Sequence, residues 1–367
     1  MSFLEKLLEG IEVEWKPLGE VCILSRGRVM SKEYLAEFAG EYPVYSSQTA
    51  NNGEIGKIRT FDYDGEFITW TTDGANAGTV FHRKGKFSIT NVCGLIKIKD
   101  NSELIYGFLF YWLSIEAKKY VYSGMGNPKL MSNQITKIPI PIPPIEIQQK
   151  IVAILDTFTE LTAELTAELT ARKSQYTYYR EKLLSFDENK VEWKTLGEVA
   201  EIGTGSHNTQ DAVDYGIYTF YARGITPLKL NSYDFDETAI ITAGDGVGVG
   251  KVFHWAVGKY ALHQRAYRIV PNSVVNSRYV YHYIITKFYD YILKTSVNSS
   301  VTSMRKPMFL NFPIPIPSLE EQERIVSILD KFDTLTTSIT EGLPKEIELR
   351  KKQYEYYRDM LLSFPKN

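Results

Sequence analysis

Glu14-x-Lys16 and Glu192-x-Lys194 imitate the end of a nuclease metal motif. Hardly any chain precedes the first copy to supply a partner aspartate on a strand, so the repeated V-E-W-K reads more simply as a structural strand. The glycine-rich GDGVGVGK at 244–251 is not G-x-G-x-x-G. It also fails the phosphate-loop pattern, because Val252 stands where Ser or Thr is needed. It reads equally as a tight loop near DNA or as a plain turn. The five histidines do not cluster at metal-ligand spacing; His82 and His254, each after Val-Phe, read as equivalent structural positions. No G-x-S-x-G nucleophile elbow occurs. The Asn/Asp-Pro-Pro-aromatic loop of an amino-methyltransferase is also missing, since Pro143-Pro144 is followed by Ile145.

What remains are polar loops whose side chains suit base edges and phosphates. Asn and Gln pair with adenine, Arg and Lys with guanine, and hydroxyls and backbone amides with phosphate. One set is Ser46, Ser47, Gln48, Asn51 and Asn52, then Thr72, Asp73 and Asn76, then Asn127 and Lys129. The other is His207, Asn208 and Arg223, then Asp245, then Gln264 and Arg265, then Ser303, Arg305 and Lys306. Taken singly, each is an ordinary solvated loop residue; as sets they form two candidate nucleic-acid surfaces.

Two similar frames must hold these sets. Residues 13–21, VEWKPLGEV, return at 191–199 as VEWKTLGEV. After each come strand-like runs between Gly-, Asn- and Asp-rich turns: 41–48, 66–74, 78–82 and 94–100, then 216–224, 238–246, 250–254 and 266–272. A helical stretch follows at 102–123 and at 277–296, then a polar loop at 123–134 and at 296–307. Strands first and a helix after suggest α+β units rather than a doubly wound sheet.

Each frame closes on a proline-rich segment, IPIPIPP or FPIPIP, and a long amphipathic helix. The prolines allow only an extended connector. In the first helix Ile151, Ile154, Phe158, Leu161, Leu165, Leu169, Tyr176, Tyr179 and Leu183 recur every three or four residues, with Arg172 in the one gap. In the second, Ile325, Ile328, Phe332, Leu335, Ile339, Leu343, Ile347, Arg350, Tyr354, Tyr357 and Leu361 do the same. Such heptad spacing with a stutter suits two helices packed on each other. Proline inside a helix costs about 3 kcal/mol, so Gly342-Leu343-Pro344 predicts a break, with a stop at Gly342 and a restart at Pro344.

With 44% hydrophobic residues in 367, the chain supports two domains. The start, MSFLEKLLEG, is too short and acidic for a signal peptide, and no apolar run is long enough to span a membrane. Two cysteines, Cys22 and Cys93, exclude a disulfide framework and fit a reducing cytoplasm. With 42 basic and 44 acidic residues, total charge gives no nucleic-acid signal, and any basic surface must be local.

The doubled V-E-W-K-x-L-G-E-V, the I-P-I-P…Q…I-V-x-I-L-D closures and the tandem tetrads TELT, AELT and AELT at 159–170 resemble the DNA-specificity subunit of a type I restriction–modification enzyme. The resemblance spans essentially the whole chain. It implies target recognition domains at 1–144 and 187–317 and spacer helices at 145–186 and 318–367, paired as an antiparallel coiled coil with pseudo-two-fold symmetry. It also implies two modification (methyltransferase) subunits docked on the helices, and restriction/translocase subunits beyond them. Outer-face candidates for that docking are Gln148, Gln149, Lys173, Gln175, Arg180, Gln322, Arg324, Lys352, Gln353 and Arg358. S-adenosylmethionine, ATP and Mg would reside on the partners, with no cofactor in this chain. The competing reading, which the helices alone permit, is a scaffold protein with duplicated β-rich binding modules and no DNA. If the tetrads act as a ruler, one more tetrad lengthens the helix by about 6 Å. The unread spacer should then change by one or two base pairs, which methylome sequencing would detect.

Overall fold

The computed structural model describes Gly10 and residues 13–124, 126–246, 248–295 and 303–364. The segment read for a leader, most of the second polar loop and Val247 of the glycine-rich turn therefore lie outside the described residues. The chain divides into two compact units, Met1–Glu164 with Ile347–Asn367, and Leu165–Glu346.

In the first unit, β1 (Glu14–Pro17) pairs antiparallel with a later strand at Pro139–Ile142. The V-E-W-K segment and the proline-rich segment thus form one ribbon. Alternating Ile and Pro makes this possible, because every missing N–H falls on the side away from β1. Ile138 and Ile140 are fully buried beneath it. The main sheet contains β2 (Cys22–Arg26), β3 (Ala39–Tyr45), β4 (Glu54–Ile58), β5 (Tyr63–Thr71), β6 (Val80–Ile89) and β7 (Cys93–Ile98). Their order is β2-β7-β5-β6-β3-β4, antiparallel except for β3 beside β6. The ribbon strand at Pro139–Ile142 is β8.

The second unit repeats this. β9 (Glu192–Thr195) forms the ribbon with Pro313–Ile316. The sheet has β10 (Ala200–Thr204), β11 (Tyr218–Tyr221), β12 (Leu228–Leu230), β13 (Phe235–Ala243), β14 (Phe253–Leu262) and β15 (Ala266–Pro271). The order β10-β15-β13-β14-β11-β12 again has one parallel pair, β11 with β14.

Side-chain volume is exchanged between equivalent positions of the two sheets. In the first, buried Trp70 faces Gly94 across the strands, where a Cβ would sit 2.2 Å from the indole ring. In the second, the same pair is Thr242 and Tyr267. A close-packed interior requires such compensation, because two large side chains there would overpack it.

Helix α1 (Tyr106–Glu116) covers the first sheet and α3 (Ser277–Thr295) the second. Between them in the chain runs α2 (Ile145–Leu183), continuous for 39 residues. α4 (Leu319–Thr337) and α5 (Gly342–Leu361) make up the second long helical segment. In the first unit, Phe158 of α2 stacks on Tyr357 of α5 at 5.3 Å, and Phe364 packs on Phe108 and Trp112. In the second, Tyr176 and Tyr179 of α2 each stack on Phe332 of α4 at 5.8 Å. Leu161 is exposed and Leu165 and Leu169 only half-buried, as a narrow seam requires.

The second helical segment is broken, as Gly342-Leu343-Pro344 predicts, but the stop comes earlier. α4 ends at Thr337, and the Ser338 hydroxyl accepts from the amides of Thr340 and Glu341. Gly342 follows with φ +80°, and a Cβ on it would lie 2.4 Å from the Thr334 carbonyl oxygen. Ile339, read as a seam residue, sits in this break and is 79% exposed.

Candidate nucleic-acid interface

In the first unit three distant segments are stitched together by backbone bonds. Leu130 donates to the Thr72 carbonyl at 2.9 Å and Gly74 to that of Pro128 at 3.0 Å. The Ser47 hydroxyl accepts from the Thr72 amide at 3.3 Å and donates to the Val92 carbonyl. Sequence-distant Asp73 and Lys129 therefore meet, with 3.9 Å between ammonium and carboxylate. The Arg26 guanidinium lies 4.0 Å from the same carboxylate. Asn76, Asn127 and Lys129 are exposed beside it. Asn51 and Asn52 form a separate exposed tip, with φ of 49° and 53°. That left-handed pair is held from below by Arg83, which donates to the Asn52 carbonyl at 2.7 Å while stacked on Tyr45.

Not every residue of this set faces outward. Thr72 is fully buried, its hydroxyl against Asp73 and the Val92 carbonyl, so it supports the loop. Ser46 accepts from the Thr90 hydroxyl, and the Gln48 amide donates to the Glu54 carbonyl.

The second unit repeats the stitching. Met304 donates to the Gly244 carbonyl at 2.7 Å, and Gly244 donates to that of Arg265. Asp245 is bridged to Ser303 as Asp73 is to Lys129. Asp245 accepts from Arg223 at 2.8 Å and from Arg265 at 3.0 Å. Burial pushes this carboxyl up, but the two guanidinium bonds outweigh it and hold it below the usual aspartate range. His207 lies 3.2 Å from the Asp234 carboxylate, and Gln264 bonds Asn208. Ser303, Arg305 and Lys306 are exposed.

Arg26, Arg28 and Asp234 belong to these surfaces and were not singled out from sequence. A signal existed. R-G-R (26–28) runs out of β2 where T-G-S (204–206) runs out of β10, and the central glycine of each is forced. A Cβ on Gly27 or Gly205 would sit 1.9 Å from the carbonyl oxygen of Ile89 or Leu262. Arg28 is already engaged, with Asp62 at 3.1 Å and the Tyr34 hydroxyl at 3.0 Å.

On the helices, two of the outer-face candidates prove to be internal. Gln148 is fully buried and donates to the carbonyls of Glu103 and Pro143, while accepting from the Ile105 amide. Gln322 does the same with Pro317 and Asn276. Each ties a helix start to the unsatisfied beginning of the sheet-covering helix. Gln149, Lys173, Arg324 and Lys352 are exposed, the last two paired with Glu321 and Glu348. Gln175 and Gln353 accept from Arg172 and Arg350, and Arg180 and Arg358 lie over Tyr176 and Tyr354.

The strand register also corrects one equivalence. His82 pairs with Ile68, whereas Trp255, not His254, pairs with the matching Ile240. The turn before β14 is one residue longer, so His254 faces the opposite side of its sheet, beside Tyr221.

Among the described residues no three His, Cys, Asp or Glu side chains come together as metal ligands. Burial pushes the thiols of Cys22 and Cys93 up to about 12, which leaves them protonated and unreactive. Nor, among the described residues, is any helix long and apolar enough to cross a membrane.

The fold is therefore a doubled α+β frame with two polar loop clusters and two long helical segments. The family described as the type I restriction modification DNA specificity domain matches residues 11–172 and 188–349. The chain belongs to that family. It is 35% identical to the EcoR124I/EcoR124II type I specificity subunit of Escherichia coli, covering 100% of this chain and 98% of that one. It is 36% identical to a protein of Haemophilus influenzae described as a putative type I restriction enzyme specificity subunit, over 99% and 98% of the two chains. The crystal structure of an S subunit from Mycoplasma genitalium has the same fold, with a TM-score of 0.68 at 18% identity over the full length of both chains. These relationships favour the DNA-specificity reading over a DNA-free scaffold. The family is that of the recognition component of type I restriction–modification enzymes, not of their catalytic components.

Proposed function

We propose that each unit reads one half of a bipartite double-stranded DNA site through its stitched loop cluster. The exposed faces of the helices dock two modification (methyltransferase) subunits, and restriction/translocase subunits join the complex through them. S-adenosylmethionine, ATP and Mg are carried by those partners, and the assembly works in the cytoplasm. The observation that carries this reading is the repeated convergence of three loops on one aspartate flanked by cations. Asp73 has Arg26 and Lys129, and Asp245 has Arg223 and Arg265. Cations held next to amide and hydroxyl side chains supply both phosphate attraction and base-edge hydrogen bonds. The test is a methylome comparison of cells with and without this gene. A two-part methylated motif that disappears with the gene supports the reading. An unchanged methylome in cells that express the partner subunits would sink it.

A further inference from the structure

The two units treat one surface pocket in opposite ways. In the first, a cavity of about 510 Å³ opens between the sheet, α1 and the early turns of α2. Glu66 and His82 line it from the sheet, Gly107, Phe110 and Tyr111 from α1, and Asp156 from α2. The matching place in the second unit is filled by the protein itself. The Arg278 guanidinium lies over Trp255 at 5.2 Å and Tyr281 at 4.6 Å, and donates to Asp330 at 2.8 Å and Asp333 at 3.3 Å.

The correspondence is fixed position by position. Ile105 and Asn276 receive the buried glutamine in each unit. Two residues on, Gly107 stands where the other unit has Arg278. Phe110 answers to Tyr281, and Tyr111 to His282. By strand register His82 answers to Trp255. Asp156 and Asp330 each lie eight residues after their glutamine. They accept from the equivalent groups, Tyr111 hydroxyl at 2.6 Å and His282 Nε2 at 2.7 Å.

From this we infer that the first-unit pocket is a guanidinium site whose ligand comes from outside the chain. The flat walls remain: His82 and Phe110 stack at 5.9 Å, the pair answering to Trp255 and Tyr281. The anionic end remains too, since Asp156 has no ion-pair partner among the described residues. The second carboxylate has moved from the helix, where Thr159 replaces Asp333, to Glu66 on the sheet. Among the described residues Lys84 is the one lysine or arginine lining the pocket; it lies 3.4 Å from Glu66, is mostly exposed, and makes no ion pair with Asp156. Glu66 also bonds His82 Nε2 at 2.6 Å, which fixes the carboxylate beside the ring wall. A planar cation laid over ring faces with carboxylates at its edge is what arginine satisfies and the point charge of lysine does not.

The inference does not depend on DNA reading, and its test contains no DNA. The full chain is titrated calorimetrically with N-acetyl-arginine amide and, for comparison, N-acetyl-lysine amide. Saturable binding of the arginine compound is expected, with the lysine compound at least about tenfold weaker. Glu66→Gln with Asp156→Asn should abolish it, and Gly107→Arg should block it by supplying the missing side chain in place. The atoms nearest a Cβ at Gly107 are those of the Val152 side chain, at 2.9 Å. The other unit carries a valine, Val326, at the matching position together with Arg278. If Gly107→Arg fails to fold, the carboxylate variant decides. Repeating the titration with modification subunits bound identifies the source. Lost binding means that a partner arginine occupies the pocket; retained binding means that it takes free guanidinium compounds. No saturable binding to the free chain, or equal binding by the carboxylate variant, would overturn the inference.

Discussion

Asp245 and Asp73 occupy the same place in the two units, and their surroundings differ in kind. Asp245 is clamped by two guanidiniums at direct hydrogen-bonding distance. Asp73 has one guanidinium and one ammonium, both at the outer limit of an ion pair. An arginine fork held by a carboxylate is pre-set for a bidentate contact to a guanine edge, whereas a lysine remains a mobile point charge. One frame therefore supports two loop clusters with different degrees of preorganisation. The framework beneath them is shared: the ribbon, the sheet order and the buried glutamine all recur.

The largest expected effect breaks that shared framework. Gln148→Ala leaves the carbonyls of Glu103 and Pro143 and the Ile105 amide without this partner. Gln322→Ala strands only the Pro317 carbonyl and the Asn276 amide. At about 1–3 kcal/mol for a buried group left unsatisfied, and with partial hydration, the first should lose about 3 kcal/mol and the second about 2. Hydrogen exchange in α1 and α3 would read the two separately. A larger loss in α3 would reverse the comparison.

Next comes Gly342→Ala. The left-handed φ costs about 1 kcal/mol, and the clash with the Thr334 carbonyl adds to it. Replacing Gly342 should therefore cost about 2 kcal/mol. An equivalent exposed alanine substitution in unbroken α2, at Glu164, should be neutral within about 0.5 kcal/mol. Urea denaturation of the two variants measures the difference, and an unchanged midpoint for Gly342→Ala would mean the break is dispensable.

The features just described were unequally legible in the sequence. The duplication, the ribbon strand, the α+β grammar and the helix break all follow from spacing, because proline and glycine act locally. What failed depended on distant partners. Gln148 looks like a solvated residue in the first turns of an amphipathic helix, and only the start of α1, folded against it, makes it internal. His82 and His254 share a Val-Phe prefix, yet one extra residue in a turn moves them to opposite faces of their sheets, since strand side chains alternate. Thr72 is polar and in a loop, but the loop folds over it. Arg26 and Arg28 were readable in principle, as the basic pair around a glycine that the repeat keeps.

The proposed reading surfaces come third. Arg265→Ala should weaken DNA binding by the assembled complex about tenfold and relax one position of one half-site, as losing a bidentate contact does. Lys129→Ala should weaken binding less, about equally for all sequences, and lower the salt dependence by about one counterion. Methylome sequencing with salt-dependent binding tests both. If Lys129→Ala changes the motif, the first unit also reads bases with its cation, and the contrast between the two readers fails.

The smallest effect concerns acid. In the second unit burial holds His282, His254 and His263 below the usual 6.5, and for His282 it outweighs the opposing pull of Asp330. A depressed histidine stays neutral in the native unit while the unfolded chain takes up a proton near 6.5. Stability from this source is present above that pH and declines as the pH falls below it, until the native value is reached. In the first unit the residue answering to His282 is Tyr111, whose hydroxyl is pushed up by burial and the Asp156 bond, and so does not titrate there. The depression of Asp245 acts only below its ordinary 3.8 and leaves this window untouched. Lowering the pH from about 7 to about 5.5 should therefore speed hydrogen exchange in α3 more than in α1. His282→Tyr, which copies the first unit's pair onto Asp330, should remove part of the difference. Equal acceleration in both helices, or none in α3, would show that these histidines do not set the acid response of their unit.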